Sequence, residues 1–573
     1  MSNNIGRRDF LGTVALVGAA AAAGRTSLID SAEAATASSD GITASSASEL
    51  AEAVRSKKWS SKEIVEAHLD RIAKVNPKLN AVVQLTAEAA RKEADEADAA
   101  LARGEIKGPL HGVPVTIKDT LETAGVICTG GTKGRANYVP KADATAVARL
   151  RAAGGIILGK TNVPELAGAA ETDNLVYGRT NNPYDLARTP GGSSGGEAAI
   201  IAAGGSPLGL GTDAGGSIRI PAHYCGLAAI KPTSGRVPRT GQFPMPLGAR
   251  NPVFHVSLIA RKVGDLALAL PIVAGPDFRD HSIVGMPLGE PANVVLRDLK
   301  VAYFDDDGVA TPTKEIVAAV RDSAKAFTDA GIKVEESRPP DAAKPGGVYL
   351  DISRGDGGAG TRGFLKSVGS NEISPMFERA LAVAVTPAMA NTTEALAAFA
   401  RWDLFRNSML RFIENYDALL SPVMPYPALL HGTGFDDDKR IGFGYAQMHN
   451  LTGWIMRSST PPTELISSMA SSVALSWDCS IAEVTPVWEN STPTRHGPSL
   501  FSLKLMTLTW TIALVRFERL YVRLAETQIA LPAVPACSAR FQIDGGILQP
   551  PKVCSRCATS ASATSSRHGR AAT

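Results

Sequence analysis

An α/β fold is the class that this 573-residue sequence predicts, on three observations. Short apolar runs interrupted by glycine follow one another from Gly112 onward, segments rich in helix formers lie before and between them, and Lys300 to Val334 reads as strand, helix and strand in succession. Strand patterns that alternate with helix patterns bury their apolar faces best as helices packed on a sheet.

The elements follow in chain order. Ser46-Ala47-Ser48-Glu49 and Ser60-Ser61-Lys62-Glu63 each fit a capping box, in which a serine hydroxyl and a glutamate three residues on satisfy free N–H groups at a helix start. Thr86 to Arg103, rich in Ala, Glu and Lys, predicts a third helix. Strands are expected at Val113 to Ile117, Ile156 to Leu158, Ile200 to Ala203 and Leu227 to Ile230. Lys300 to Phe304 is a further strand. Thr311-Pro312 then supplies an N-cap with proline at the first helical position, Gly331 ends the helix, and Ile332 to Val334 completes a βαβ unit. Asp341 to Asn371, rich in Gly, Arg, Ser and Asp, reads as a surface excursion.

Composition narrows the function. A formal net charge of +3 speaks against nucleic acid as a partner. No apolar run reaches the ~20 residues of a membrane span. There is no H-E-x-x-H, and Cys554-Ser555-Arg556-Cys557 lacks a second pair, so neither a metal nor a cofactor is expected. At the start, Arg7-Arg8-Asp9-Phe10-Leu11 precedes an apolar run to Ala23 and an Ala32-Glu33-Ala34 cleavage pattern. This resembles a twin-arginine export signal. The resemblance implies removal of residues 1–34, passage through the twin-arginine export machinery and a bacterial periplasmic or cell-envelope location.

The chemistry concentrates in Pro190-Gly191-Gly192-Ser193-Ser194-Gly195-Gly196 and in Gly204 to Pro221. Ile200, Ile201, Leu208, Leu210 and Ile218 make this block foldable rather than a linker. Dense glycine lets backbone N–H groups converge on an anion. A phosphate loop is excluded, because no lysine follows the glycines. Gly209-Leu210-Gly211-Thr212-Asp213-Ala214 matches a dinucleotide fingerprint only nominally: Pro207 precedes it and Gly215-Gly216 interrupts the expected helix. Serine nucleophile catalysis remains. One form of it uses Gly192-Ser193-Ser194-Gly195-Gly196 as a G-x-S-x-G elbow, with Ser194 attacking as in an α/β-hydrolase esterase and His431 or His449 as base, although no HGGG-type motif precedes it.

With Lys118 in Gly112-Val113-Pro114-Val115-Thr116-Ile117-Lys118-Asp119, Gly159-Lys160-Thr161-Asn162 upstream of the serines, and the block above, the chain resembles the amidase signature family from about Ala44 to Gly453. The resemblance implies a single large domain with a mixed, mostly parallel central sheet covered by helices. It also implies hydrolysis of a small-molecule carboxylic amide by a Ser-Ser-Lys triad. Ser217 is then the nucleophile, Ser193 the bridging serine after a cis peptide bond, and Lys118 the base. A serine needs a neighbour to take its proton, and a lysine does so only when desolvation leaves it neutral; Val115, Ile117 and the glycine-rich walls are expected to supply the dry setting. The N–H groups of Ala214, Gly215, Gly216 and Ser217 are the implied oxyanion hole, and Ser194 supports the site by hydrogen bonding. Asp213 and Arg219 read as a structural pair, and His111 and His223 as packing or hydrogen-bonding residues. Ala167-Gly168-Ala169-Ala170 borders the acyl pocket, and its small residues predict room for a bulky acyl group. The family includes the glutamine-amidase component of tRNA amidotransferases, a cytoplasmic role that the export signal opposes.

Beyond Asn450-Leu451-Thr452-Gly453 the pattern departs from the family. Residues 454–573 hold four of six cysteines and four of six tryptophans, with only Lys504 and Lys552 as lysines. Two expectations follow for this segment: a shifted reading frame or recombined gene end that leaves a catalytically silent chain, or a divergent extension of an active amidase.

Overall fold

Both capping boxes form. In this computed structural model, which describes residues 41–246, 251–289, 291–354, 358–382 and 391–458, the Ser46 hydroxyl accepts from the Glu49 N–H at 3.1 Å. The Glu49 carboxylate in turn accepts from the Ser46 N–H at 2.7 Å, and helix α1 (Ala47–Arg55) begins. Ser60 and Glu63 repeat the pair at 3.1 and 2.8 Å to start α2 (Ser61–Leu79). β1 (Val82–Leu85) leads to α3 (Ala87–Ala102), where Ala90 and Ala94 form a small-residue stripe that packs among Val65, Leu69 and Ile72 of α2. The expected export signal and the segment beyond Ser458 lie outside the described residues.

The main sheet is mixed. Its strands are β1, β2 (Pro114–Lys118), β3 (Ile156–Thr161), β4 (Leu208–Asp213), β5 (Ala228–Lys231), β6 (His255–Ala260) and, last in the chain, Met456–Ser458. They lie in the order β1-β3-β2-β4-β6-β5, with Met456–Ser458 on the β5 edge. The three central strands run parallel, with Val115 beside Ile157 and Ile117 beside Leu210. The flanking pairs are antiparallel. On the sheet and between its strands lie α4 (Thr145–Ala152), α5 (Gly195–Ala202), α6 (Arg219–Cys225) and α7 (Val263–Val273).

Ile200 to Ala203 is a correction to the sequence reading: it is the end of helix α5 and the turn after it, not a strand. A four-residue apolar run carries no period long enough to separate a buried helix from a buried strand. Ile200 and Ile201 are inaccessible on all sides, so no polar alternation marks either structure.

The βαβ unit forms from β7 (Lys300–Tyr303), α8 (Lys314–Asp329) and β8 (Lys333–Glu336), parallel with Val301 beside Val334. Its helix starts two residues later than expected. Thr313, not Thr311, occupies the cap, because the Thr313 N–H is engaged by the Pro425 carbonyl at 2.8 Å and stays outside the helix. The segment expected as a surface excursion contains α9 (Pro345–Arg354) and α10 (Ala359–Ser367). Val348 and Ile352 of α9 are buried with Trp402 and Phe405, so one apolar helix face outweighs a polar composition. α11 (Pro375–Ala382), α12 (Thr392–Ile413), strand β9 (Ala418–Leu420), a single helical turn at Asp437–Arg440 and α13 (Gly444–Thr452) follow. No helix among the described residues is long and apolar enough to cross a membrane.

Candidate active site

β2 carries the lysine. Side chains alternate across a strand, so Val115 and Ile117 enter a core with Leu50, Val54 and Leu150, while Thr116 bonds Glu197 of α5 on the other face. Val115 and Ile117 therefore do not wall the Lys118 amine as expected. Three hydroxyls do. Lys118 Nζ lies 2.7 Å from Ser193 Oγ, 2.8 Å from Ser194 Oγ and 2.8 Å from Thr212 Oγ1, and the residue is fully buried. Burial pushes its pKa well below the usual lysine range, against the pull of Asp213 and Glu197.

Three hydroxyls can accept all three protons of an ammonium, or two from a neutral amine whose lone pair then faces the third hydroxyl. Ser194 Oγ accepts from Lys118 and from the Thr212 N–H at 3.3 Å, and its single proton points to the Thr212 carbonyl at 3.2 Å. Ser193 Oγ has Lys118 as its hydrogen-bond partner among the described residues, so its proton is free to pass to Nζ. Ser194 is thus a bracket. Among the described residues no histidine is bonded to it: His449 is buried with both ring nitrogens unpartnered, and the His431 N–H of the backbone bonds Ala187.

Glycine makes the close approaches. The Gly192–Ser193 peptide bond is cis. A Cβ on Gly192 would lie 2.7 Å from the Ala169 carbonyl oxygen, and one on Gly211 would lie 2.8 Å from Ser194 Oγ. The Ser194 N–H bonds the Ser217 carbonyl at 3.0 Å, which pins the two serine segments side by side.

Ser217 sits half-buried in the turn between β4 and α6, and its hydroxyl makes no hydrogen bond among the described residues. The backbone N–H groups of Ala214, Gly215 and Ser217 are likewise unengaged among these residues. The Gly216 N–H is different: it donates to Asp213 Oδ1 at 2.9 Å. Asp213 also accepts from the Ile218 N–H at 3.1 Å and from Arg219 Nε and Nη2 at 3.0 and 2.9 Å. Burial alone would raise its pKa, but the Arg219 charge and these bonds hold its carboxyl far below the usual carboxylate range. The turn is therefore folded around one buried carboxylate, and Asp213 and Arg219 form an ion pair.

The acyl-side loop departs from expectation in one respect. Leu166 and Ala167 are both left-handed, at φ 51° and 53°. Bonds from Leu166 N–H to Gly130, Ala167 N–H to Pro164 and Gly168 N–H to Glu165 hold that conformation. The space left by Gly168 is taken by the Phe377 ring of α11, which packs against its Cα. A side chain at Gly168 would meet the Phe377 ring.

The pattern missed four contributors. Thr212 lay inside the glycine block and Asn450 inside Asn450-Leu451-Thr452-Gly453, so both had a local signal. Glu197, fully buried between the Thr116 and Thr161 hydroxyls at 2.7 and 2.9 Å, had none. Nor had Tyr349 of α9, whose hydroxyl lies over Gly215. His111 and His223 bond the Ala97 and Tyr426 carbonyls at 3.1 Å each. Among the described residues no cluster of His, Cys, Asp and Glu is placed to hold a metal.

The chain is similar to proteins named as amidases, acylamidases and amidotransferase subunits. The family model described as Amidase matches residues 63–479. A glutamyl-tRNA(Gln) amidotransferase component from Carboxydothermus hydrogenoformans is 35% identical over 420 residues, covering 68% of this chain and 85% of that protein. An acylamidase from Rhodococcus erythropolis is 40% identical over 300 residues, 51% of this chain and 61% of that protein. A solved bacterial aryl acylamidase of the amidase signature family superposes with a TM-score of 0.65 at 26% identity, over 75% of this chain and 95% of that one. A buried lysine among serines, the glycine-rich turn and these matches have one common account: the chain belongs to the amidase family and is an amide-hydrolysing enzyme.

Proposed function

We propose that the protein hydrolyses a carboxylic amide to an acid and ammonia or an amine through an acyl-enzyme on Ser217. One observation carries the reading: a fully buried lysine amine, its proton affinity lowered, 2.7 Å from a serine hydroxyl whose proton is free to reach it. Ser217 Oγ attacks the carbonyl carbon while its proton passes to Ser193 Oγ and the Ser193 proton passes to Lys118 Nζ. The N–H groups of Ala214, Gly215 and Ser217 hold the oxyanion, and Gly216 contributes by closing the turn on Asp213. The intermediate collapses as the relay runs backward. Lys118 returns its proton to Ser193, Ser193 gives one to the leaving nitrogen, and the C–N bond breaks. Water then repeats the attack on the ester, and the acid leaves.

Substitution of the nucleophile tests this. Ser217→Ala is expected to lower kcat on p-nitroacetanilide by about 10³-fold or more and to abolish labelling by a fluorophosphonate. Retained labelling would move the nucleophile elsewhere and overturn the assignment.

A second reading rests on the relatives named as components of glutamyl-tRNA(Gln) amidotransferases, and it makes glutamine the amide donor. The twin-arginine pattern at Arg7-Arg8 favours instead an exported enzyme of the periplasm or cell envelope acting on small amides. Turnover of glutamine above that of acetamide and anilides would support the amidotransferase reading. A third reading, a silent chain ending in a shifted frame beyond Gly453, predicts no turnover of any amide by the purified protein.

A further inference from the structure

We infer that Asn450 is a positioning residue for the nucleophile turn: its amide bridges Asp213 and Arg219, and so ties α13 to the backbone that carries Ser217 and the oxyanion donors. The inference rests on the reading of Ser217 as nucleophile.

The geometry is specific to an amide. Asn450 Nδ2 donates to Asp213 Oδ1 at 2.8 Å and to the Val253 carbonyl at 3.0 Å, while Asn450 Oδ1 accepts from Arg219 Nη2 at 2.5 Å. A carboxylate neighbour needs a donor and a guanidinium neighbour needs an acceptor, and a primary amide supplies both without charge. Asn450 is 1% exposed, so no water replaces a lost bond. Arg219 Nη1 adds a bond to the Ala446 carbonyl at 2.9 Å, one turn earlier on α13. Ala446 itself packs so closely on Gly216 that a Cβ there would lie 2.7 Å from it. Two residues of one helix therefore fix the turn, one from the carboxylate side and one from the backbone side.

The consequence concerns the transition state more than binding. Asp213 holds the Gly216 and Ile218 N–H groups on either side of Ser217. If it loses one of its ligands, the free N–H groups of Ala214, Gly215 and Ser217 drift from where the oxyanion forms, while the substrate still binds. An orientation error of this kind lowers kcat rather than raising KM.

The charged and titratable groups that face Asn450 give a second readout. Asp213 on β4 and Arg219 on α6 bond it directly, and His255 on β6 and His449 on α13 lie within electrostatic reach of that pair and of Lys231 on β5. Asn450→Asp keeps the size of the side chain. Its neutral carboxyl keeps the acceptor for Arg219 and one donor for Asp213, losing only the bond to the Val253 carbonyl, whereas its ionised form sets a second carboxylate against Asp213. The ratio of variant to wild-type kcat must then rise as pH falls.

The test uses the full-length purified protein and p-nitroacetanilide. For Asn450→Ala the expected result is a kcat lower by about 30-fold or more with KM within about threefold, and a fluorophosphonate labelling rate slowed in parallel. For Asn450→Asp the kcat ratio to wild type is expected to rise as pH falls from 9 toward 5, because burial beside Asp213 lifts the introduced carboxyl above its ordinary value of about 3.9. Should Asn450→Ala fail to fold, the pH ratio of Asn450→Asp decides alone; should neither fold, Asn450→Gln, which keeps the amide, must restore folding with kcat still depressed. A wild-type kcat in Asn450→Ala, a rise in KM alone, or a flat pH ratio overturns the inference. Ser217→Ala separates the two claims: if it is inactive while the Asn450 variants keep full kcat, only this inference falls.

Discussion

A lysine serves as a base only where water cannot stabilise its charge. Lys118 meets that condition through three hydroxyls that satisfy an amine without offering it a counter-charge at contact distance, and burial accounts for the downward shift of its pKa. In the proposed relay only the neutral amine accepts the Ser193 proton, so kcat/KM is expected to rise with pH as Lys118 loses its own proton, at a pH well below 10.5. Lys118→Met is expected to remove that ascending limb and to lower kcat/KM by about 10²–10⁴-fold, measured as a pH–rate profile with the same anilide. Ser194 reads differently from its sequence. Its place in G-x-S-x-G suggests a nucleophile, yet its one proton is committed to the Thr212 carbonyl. Motif and role diverge because a five-residue pattern carries no information about the partners of its hydroxyl.

At the scale of elements, α5 shows how a helix serves the site without touching substrate. Its Glu197 reaches under β2 and β3, to Thr116 and Thr161, and burial, opposed by those two hydroxyls and by Lys118 and Lys160, raises its pKa to about 8. A folded pKa above the unfolded 4.5 means that the folded chain holds a proton the unfolded chain releases. This contribution to stability is fully present below pH 4.5 and is lost as pH rises toward 8. Glu197→Gln keeps the neutral form at every pH, so its Tm relative to wild type should climb between pH 5 and pH 8 in thermal melts. A constant difference would show that Glu197 is not protonated in the fold. The contact of the acyl-side loop with α11 makes a second prediction. Gly168→Ala places a methyl in the Phe377 ring, and overpacking of this kind costs about 1–3 kcal/mol. The cost should shrink when Phe377→Leu is combined with it in a double-mutant cycle by denaturant unfolding.

Over the whole molecule, elements distant in the chain close the site. α9 brings Tyr349 over Gly215, and α13 brings Ala446 onto Gly216, so the catalytic strands of the first half are completed by helices of the second. The proposed export is tested by replacing Arg7 and Arg8 with lysine. An exported enzyme should then accumulate in the cytoplasm as uncleaved precursor on immunoblots of fractionated cells. An unchanged distribution would sink the export proposal.

The local pattern by itself determined much of the framework. Capping boxes at Ser46 and Ser60 act within four residues, the strands at β2, β3 and β5 show as apolar runs between glycines, and the Gly/Ser block marks where backbone must approach backbone. These are short-range effects that a linear reading captures. Only the tertiary structure decided whether Ile200 and Ile201 lie in a helix, which face of β2 carries Lys118, what fills the space at Gly168, and which N–H groups of the glycine-rich turn stay unengaged among the described residues. The reason is separation along the chain. Lys118 meets Ser193 across 75 residues, and Asp213 meets Asn450 across 237. Which donor finds which acceptor over such distances is set by how the sheet and helices pack, and burial then turns those pairings into shifted proton affinities.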